Sequence, residues 1–219
     1  MMVNEPRTSL LGTRALLFEA PGETSLTTQR RIWSLAREVG TWPEVSEAVP
    51  GVNNLLVSFL APPRTLAPIE SRLQSAWDAA TPMILQGRTI ELPVVYGGDG
   101  GPHMPDVVAH TCLCPEEIAE IHASPLYPVY AIGSHPGYCY LGGMDARIAT
   151  PRRKVPVLKL PGGAVSIGGS QTGVSASAGP SGWNTIGTTS TTFFDATRDP
   201  PVLLQPGDSI RFRIVEVVR

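Results

Sequence analysis

The run Gly97-Gly98-Asp99-Gly100-Gly101-Pro102 divides the chain into two stretches with different hydrophobic periods, so one layer architecture does not accommodate both. Ahead of it, strand and helix periods alternate. Ala15 to Glu19 is a short apolar run, and after Pro21-Gly22 a helix opens at Ser25, a suitable N-cap. Ile32, Leu35, Ala36 and Val39 share one helical stripe, Arg30, Arg31 and Arg37 are left to water, and Gly40 stops the helix. Val45, Glu47 and Val49 alternate up to Pro50-Gly51, and Leu55, Val57 and Phe59 alternate beyond it, which reads as two strands joined by a turn containing Asn53-Asn54. A second helix after Pro62-Pro63 aligns Leu66, Ile69, Leu73, Ala76 and Trp77, and Ile90 to Tyr96 makes a closing strand. The order βαββαβ predicts a ferredoxin-like domain over residues 1–97, a scaffold or partner-contact unit without a reactive cluster.

Behind the glycine run the pattern changes. Pro105-Asp106 and Pro115-Glu116-Glu117 each place a proline and acids where a helix begins, so two short helices are expected, capping the second domain. Short strands are then predicted over 129–132, 155–160, 164–167, 202–204 and 209–217, the last with Ile210, Phe212 and Ile214 on one face and Arg211 and Arg213 on the other. Many short strands separated by Gly and Pro predict a closed or nearly closed β barrel over 98–219, and the chain as a whole is α+β.

With 219 residues there is room for two small domains that fold without staples. A net charge of -2 with no long basic run argues against nucleic acid, since phosphate binding needs clustered Lys and Arg. Residues 1–11 lack the apolar core of a signal peptide and no stretch is apolar enough to span a bilayer, so a cytoplasmic protein without a membrane partner is expected. Cys112, Cys114 and Cys139 are then expected as thiols.

The functional surface is expected between Gly133 and Gly187, where so much irregular, Gly- and aromatic-rich chain is more than a connector needs. His122, near a helix end, reads either as a general acid or base or as a cap on the helix dipole. Arg152 offers a planar fork for a carboxylate or phosphate, or is a surface charge beside Arg153 and Lys154. Gln171 and Thr172 pair donor with acceptor for an amide, or form an ordinary turn; Tyr138 and Tyr140 wall a pocket or pack; Trp183 reads as packing. No Gly-x-x-x-x-Gly-Lys-[Ser/Thr] loop and no Gly-x-Ser-x-Gly elbow occurs, so Ser170 is a loop residue and ATP is expected to be handled elsewhere. His110-x-Cys112-x-Cys114 lacks zinc-thiolate spacing, and no metal is expected.

Several motifs occur in one order: Val94-Val95-Tyr96-Gly97-Gly98, the helix ending in His122, Pro136-Gly137-Tyr138-x-Tyr140-Leu141-Gly142, Thr150-Pro151-Arg152-Arg153, Gly169-Ser170-Gln171-Thr172-Gly173, Gly182-Trp183 and Pro206-Gly207-Asp208. With Gln29-Arg30-Arg31-Ile32-Trp33 and Val49-Pro50-Gly51-x-Asn53-Asn54, they resemble the family that takes in the 5-oxoprolinase B-type subunits, allophanate hydrolase subunit 1 and kinase-A-inhibitor-like proteins. The resemblance implies a cyclophilin-like barrel after the ferredoxin-like domain. It also implies a 5-oxoprolinase complex with a cyclophilin-like C-type subunit and an ATP-using A-type subunit, which opens 5-oxoproline, or a related cyclic amide or ureide, to the amino acid. This chain would bind no cofactor itself. The same family implies a second reading, a regulator that inhibits a sensor histidine kinase. Ser134, Cys139 and Ser175-Ala176 depart from the family's Phe, Pro and Tyr-Pro, which bears on the identity of the small molecule.

Overall fold

The computed structural model describes residues 5–219, which divide after Ile84 into two compact units. The first contains β1 (Arg7–Leu11), β2 (Ala15–Glu19), α1 (Leu26–Val39), β3 (Val45–Pro50), β4 (Asn54–Phe59) and α2 (Ala67–Ala79). Its sheet has the order β1-β2-β4-β3, every pair antiparallel. Ser25 caps α1 through Thr28 N at 3.1 Å, and the stripe of Ile32, Leu35 and Val39 packs with Leu16, Phe18, Leu55, Val57 and Trp77. Arg31 is not left to water: its guanidinium lies 3.8 Å over the Trp77 ring and donates to the carbonyls of Trp77 and Ala80, closing the end of α2. The fully buried Gln29 ties the β3–β4 turn to α1, donating to Gly51 O and accepting from Asn53 N, each at 2.9 Å. Asn53 itself has φ +60°, a conformation asparagine tolerates.

The four strands and two helices are those of an α+β layer, but the βαββαβ order is not what forms. The fourth strand is β1, folded back on β2 through Gly12 at φ +64°, and Ile90 to Tyr96 belongs to the other unit. The boundary therefore lies at 84/85 rather than 97/98.

Seven strands of the second unit form a barrel: β5 (Thr89–Gly97), β6 (Tyr127–Ile132), β7 (Cys139–Leu141), β9 (Ala164–Gly168), β10 (Gln171–Val174), β12 (Asn184–Thr188) and β13 (Ser209–Val218). They close in the order β10-β7-β6-β13-β5-β12-β9. β5 runs parallel to β13, with Ile210 opposite Ile90 and Phe212 opposite Leu92, and antiparallel to β12. The glycine run thus lies within the second unit: Gly97 ends β5 where a Cβ would collide with Val218 O, and the following turn leads into α3 (Met104–Thr111) and α4 (Pro115–Ala123). Met104, Val107, Ile118 and Ala119 from these helices join the barrel core of Leu92, Val94, Tyr127, Val129, Ile167 and Ile186. The strand predicted over 164–167 forms as β9, and part of the stretch expected to be irregular is also barrel wall, namely β7, β10 and β12. Residues 202–204 form no strand, only a single bridge from Val202 to Phe194; Pro200 and Pro201 just ahead have no N–H for a ladder. A separate two-stranded ribbon pairs β8 (Val157–Leu160) with β11 (Gly179–Ser181).

A fragment starting at Leu85 is accordingly expected to give one cooperative urea transition, and one starting at Gly98, deprived of β5 between β13 and β12, to give none. Equal cooperativity of the two fragments would show that β5 does not close the barrel.

Candidate functional site

Strand β10 separates two sets of candidate residues. On its inner side, Thr172 and Val174 face the core; on its outer side, Gln171 and Gly173 face away, as the two-residue alternation requires.

The inner set centres on His122. Glu117 holds the start of α4 by accepting from Cys114 N at 2.8 Å, a bond that keeps its carboxyl below the usual range. The helix then delivers His122 into the barrel, where it is 0% exposed and its ring lies 4.5 Å from that of Phe212. The protons can be assigned from the partners. Thr172 Oγ1 donates its one proton to Ser166 O at 3.1 Å, so it accepts from His122 Nε2–H at 2.8 Å. Nδ1 is then the acceptor for the Tyr96 hydroxyl, also at 2.8 Å. Burial lowers the His122 pKa to about 3 and pushes the Tyr96 phenol well above its ordinary value, so the relay is neutral throughout. A neutral ring offers the helix dipole no charge; the carbonyl of His122 is instead satisfied by the Tyr127 hydroxyl at 2.7 Å. Thr172, likewise 0% exposed, spends its hydroxyl on this relay. Both residues are buried in the barrel core, so neither lies on the surface beside Gln171.

The outer set is an aromatic shelf. Tyr138 and Tyr140 meet edge to face at 5.0 Å between ring centres, and Tyr138 meets Trp183 in the same manner at 6.4 Å. Two glycines let these rings lie flat on the strands. A Cβ at Gly173 would stand 2.9 Å from the Tyr138 hydroxyl and 3.4 Å from the Trp183 ring, and one at Gly168 would clash with that ring at 2.4 Å. Arg152 is exposed, with its guanidinium carbon 5.7 Å from the centre of the Trp183 ring. Burial raises the Tyr138 pKa, the neighbouring Tyr140 adds to this, and the positive Arg152 opposes it.

Backbone bonds bring the Arg152 corner to the Gln171 bend. Thr150 and Gly169 exchange N–H to O bonds of 3.1 and 2.7 Å, Arg153 N donates to Gly182 O at 2.8 Å, and Asn184 Nδ2 donates to Pro151 O at 2.9 Å. Arg153 is occupied by an ion pair with Asp106 on α3, which leaves Arg152 as the cation of the corner facing the shelf. The shelf therefore combines a half-buried tyrosine pair, the indole of Trp183, a guanidinium and the half-buried Gln171, a set suited to a small planar anion carrying an amide. Trp183 is 8% exposed, packed as the sequence suggests, and meets Tyr138 edge to face. The signal for that placement is the small residue, Gly168, on which it lies, and the contact is invisible without the register of β9. Among the described residues no group of three or more His, Cys, Asp or Glu is placed to hold a metal. His103 accepts from Thr185 N at 2.9 Å and so fastens α3 to β12.

A family model described as carboxyltransferase domain, subdomain C and D, matches residues 6–204. The chain belongs to this family. It is 44% identical over 206 residues to the B subunit of 5-oxoprolinase from Escherichia coli O157:H7, covering 94% of each chain. It is 40% identical over 204 residues to the protein of the same name from Haemophilus influenzae, covering 92% of this chain and 94% of that one. The solved urea amidolyase of K. lactis shares the fold at a TM-score of 0.82 and 18% identity, over 96% of this chain and 15% of that one. The carboxyltransferase C and D match takes in the whole aromatic shelf and the His122 relay, and ends ahead of β13. No helix among the described residues is long and apolar enough to cross a membrane.

Proposed function

We propose that the chain is the subunit of an ATP-dependent 5-oxoprolinase-type complex that binds no ATP itself, and that its shelf holds 5-oxoproline or a related small cyclic amide. The observation that carries this reading is the identity of 44% to a 5-oxoprolinase B subunit over 94% of both chains. The shelf supports it. Arg152 would receive the substrate carboxylate through paired N–H bonds, Gln171 would match the lactam N–H and C=O with its own acceptor and donor, and Tyr138, Tyr140 and Trp183 would wall the ring. His122 and Thr172 act as positioning residues that hold β10, and with it Gln171, through the buried relay.

A lactam is a poor electrophile, and its opening to the amino acid consumes one water. Driving it with ATP needs groups that hold a triphosphate; with no Gly-x-x-x-x-Gly-Lys-[Ser/Thr] loop in this sequence, an A-type partner would supply that chemistry and a C-type barrel partner would complete the site. Purified together with such partners, the complex is expected to release glutamate from 5-oxoproline only with ATP and only with this chain present. An unchanged rate when this chain is left out would overturn the assignment.

A further inference from the structure

The ribbon of β8 and β11 stands outside the barrel sheet, and each of its strands has only the other as a neighbour, so its edges are open. It carries the two most exposed large hydrophobic side chains among the described residues, Leu158 at 86% and, just ahead of β8, Val155 at 75%. Both lysines of the whole chain, Lys154 and Lys159, flank them. No Asp or Glu occurs from Ala146 to Phe194, and the ion pairs found among the described residues include neither lysine. The acid that reaches this corner is Asp106 on α3, already taken by Arg153.

Edge lysines commonly protect a strand from aggregating, but protection is undone when the residues between them are bare Leu and Val. A second copy of this chain is a poor occupant, because pairing the ribbon with itself sets lysine against lysine. The complementary partner is a protein segment with apolar side chains between carboxylates, added along the open edge. The ribbon is also connected to the shelf at both ends: Arg152 lies five residues before Val157, and Trp183 two after Ser181. Whatever occupies the edge sits beside the candidate site.

We propose that the β8–β11 ribbon is the docking surface for the sister barrel subunit of the complex, which meets it with an acidic, apolar strand. This inference rests on the reading of the chain as a complex subunit. Having one lysine on β8 and the other three residues ahead of it makes the chain its own probe. The intact protein, alone or mixed with the purified sister barrel subunit, is treated with an amine-acetylating reagent, and modification of Lys154 and Lys159 is followed by peptide mass spectrometry. Both are expected to react several-fold more slowly in the complex. Leu158→Asp is expected to weaken assembly by roughly tenfold or more while leaving the melting profile of the free chain unchanged, since the side chain is almost wholly exposed. Lys154→Glu with Lys159→Glu should weaken it further at low salt than at high salt. A complex that forms with both lysines fully reactive and with Leu158→Asp binding normally overturns the docking surface and leaves the subunit reading standing. Failure of any complex to form removes both. Protection of the lysines by self-association, or by vesicles of phosphatidylglycerol without the partner, also overturns the proposal.

Discussion

Arg152→Ala is expected to lower kcat/KM for 5-oxoproline in the assembled complex by roughly 100-fold, the loss of two charge-assisted hydrogen bonds at about 1.5 kcal/mol each. The fold should not register the change. Arg152 is exposed, and its contact is the face of Trp183 at 5.7 Å, a cation–π pair worth on the order of 0.5 kcal/mol at such a site. Arg153 is the internal control: its partner is Asp106, its role is to hold the corner against α3, and its replacement should act on stability before turnover. Arg152→Lys should recover only part of the rate, because an ammonium keeps the charge and loses the fork. The measurement is steady-state kinetics of the complex beside a thermal melt of the isolated chain. Wild-type kcat/KM in Arg152→Ala would remove the carboxylate from this corner and the shelf from the proposed site.

The same corner shows how far the sequence can be read. Arg152, Tyr138, Tyr140 and Gln171 are legible as candidates because aromatic, cationic and amide residues stand between glycines, and backbone bonds from Thr150 to Gly169 bring them together. The motif order is legible as a family pattern. What is not legible is side. Gln171 and Thr172 are neighbours in sequence, yet the two-residue strand period turns one outward and the other into the core, and a segment without a recognisable strand offers no period with which to sort them. The strands β7, β10 and β12 have three, four and five residues, too few to show a period of two in the sequence; closure of the barrel makes them strands. The domain boundary shifts for the same cause. Ile90 to Tyr96 has a strand's sequence whichever sheet receives it, and its pairing with β13 and β12 assigns it to the barrel.

His122→Leu tests the inner relay, and a loss of about 2–4 kcal/mol from the barrel is expected. Leucine roughly fills the space of the ring but accepts nothing from Tyr96. The buried phenol is then orphaned at a cost of about 1–3 kcal/mol, and Thr172 loses one of its two bonds at about 1 kcal/mol. The pH dependence distinguishes this from simple repacking. Folded His122 titrates near 3 and the unfolded residue near 6.5, so between those values the unfolded chain binds a proton that the folded chain refuses. The stabilisation is complete above the unfolded value and falls as the pH drops, by at most about 1.4 kcal/mol per pH unit. Carboxylates titrate in the same range, but they are common to both proteins and cancel in the difference. Urea titrations of wild type and His122→Leu should therefore show a stability gap that is constant above about pH 7 and narrows steadily as the pH falls toward 4. A gap independent of pH would mean that the imidazole is not held neutral by burial. A variant as stable as wild type yet without turnover would return His122 to the chemistry itself, with a path to substrate that opens only in the assembled complex.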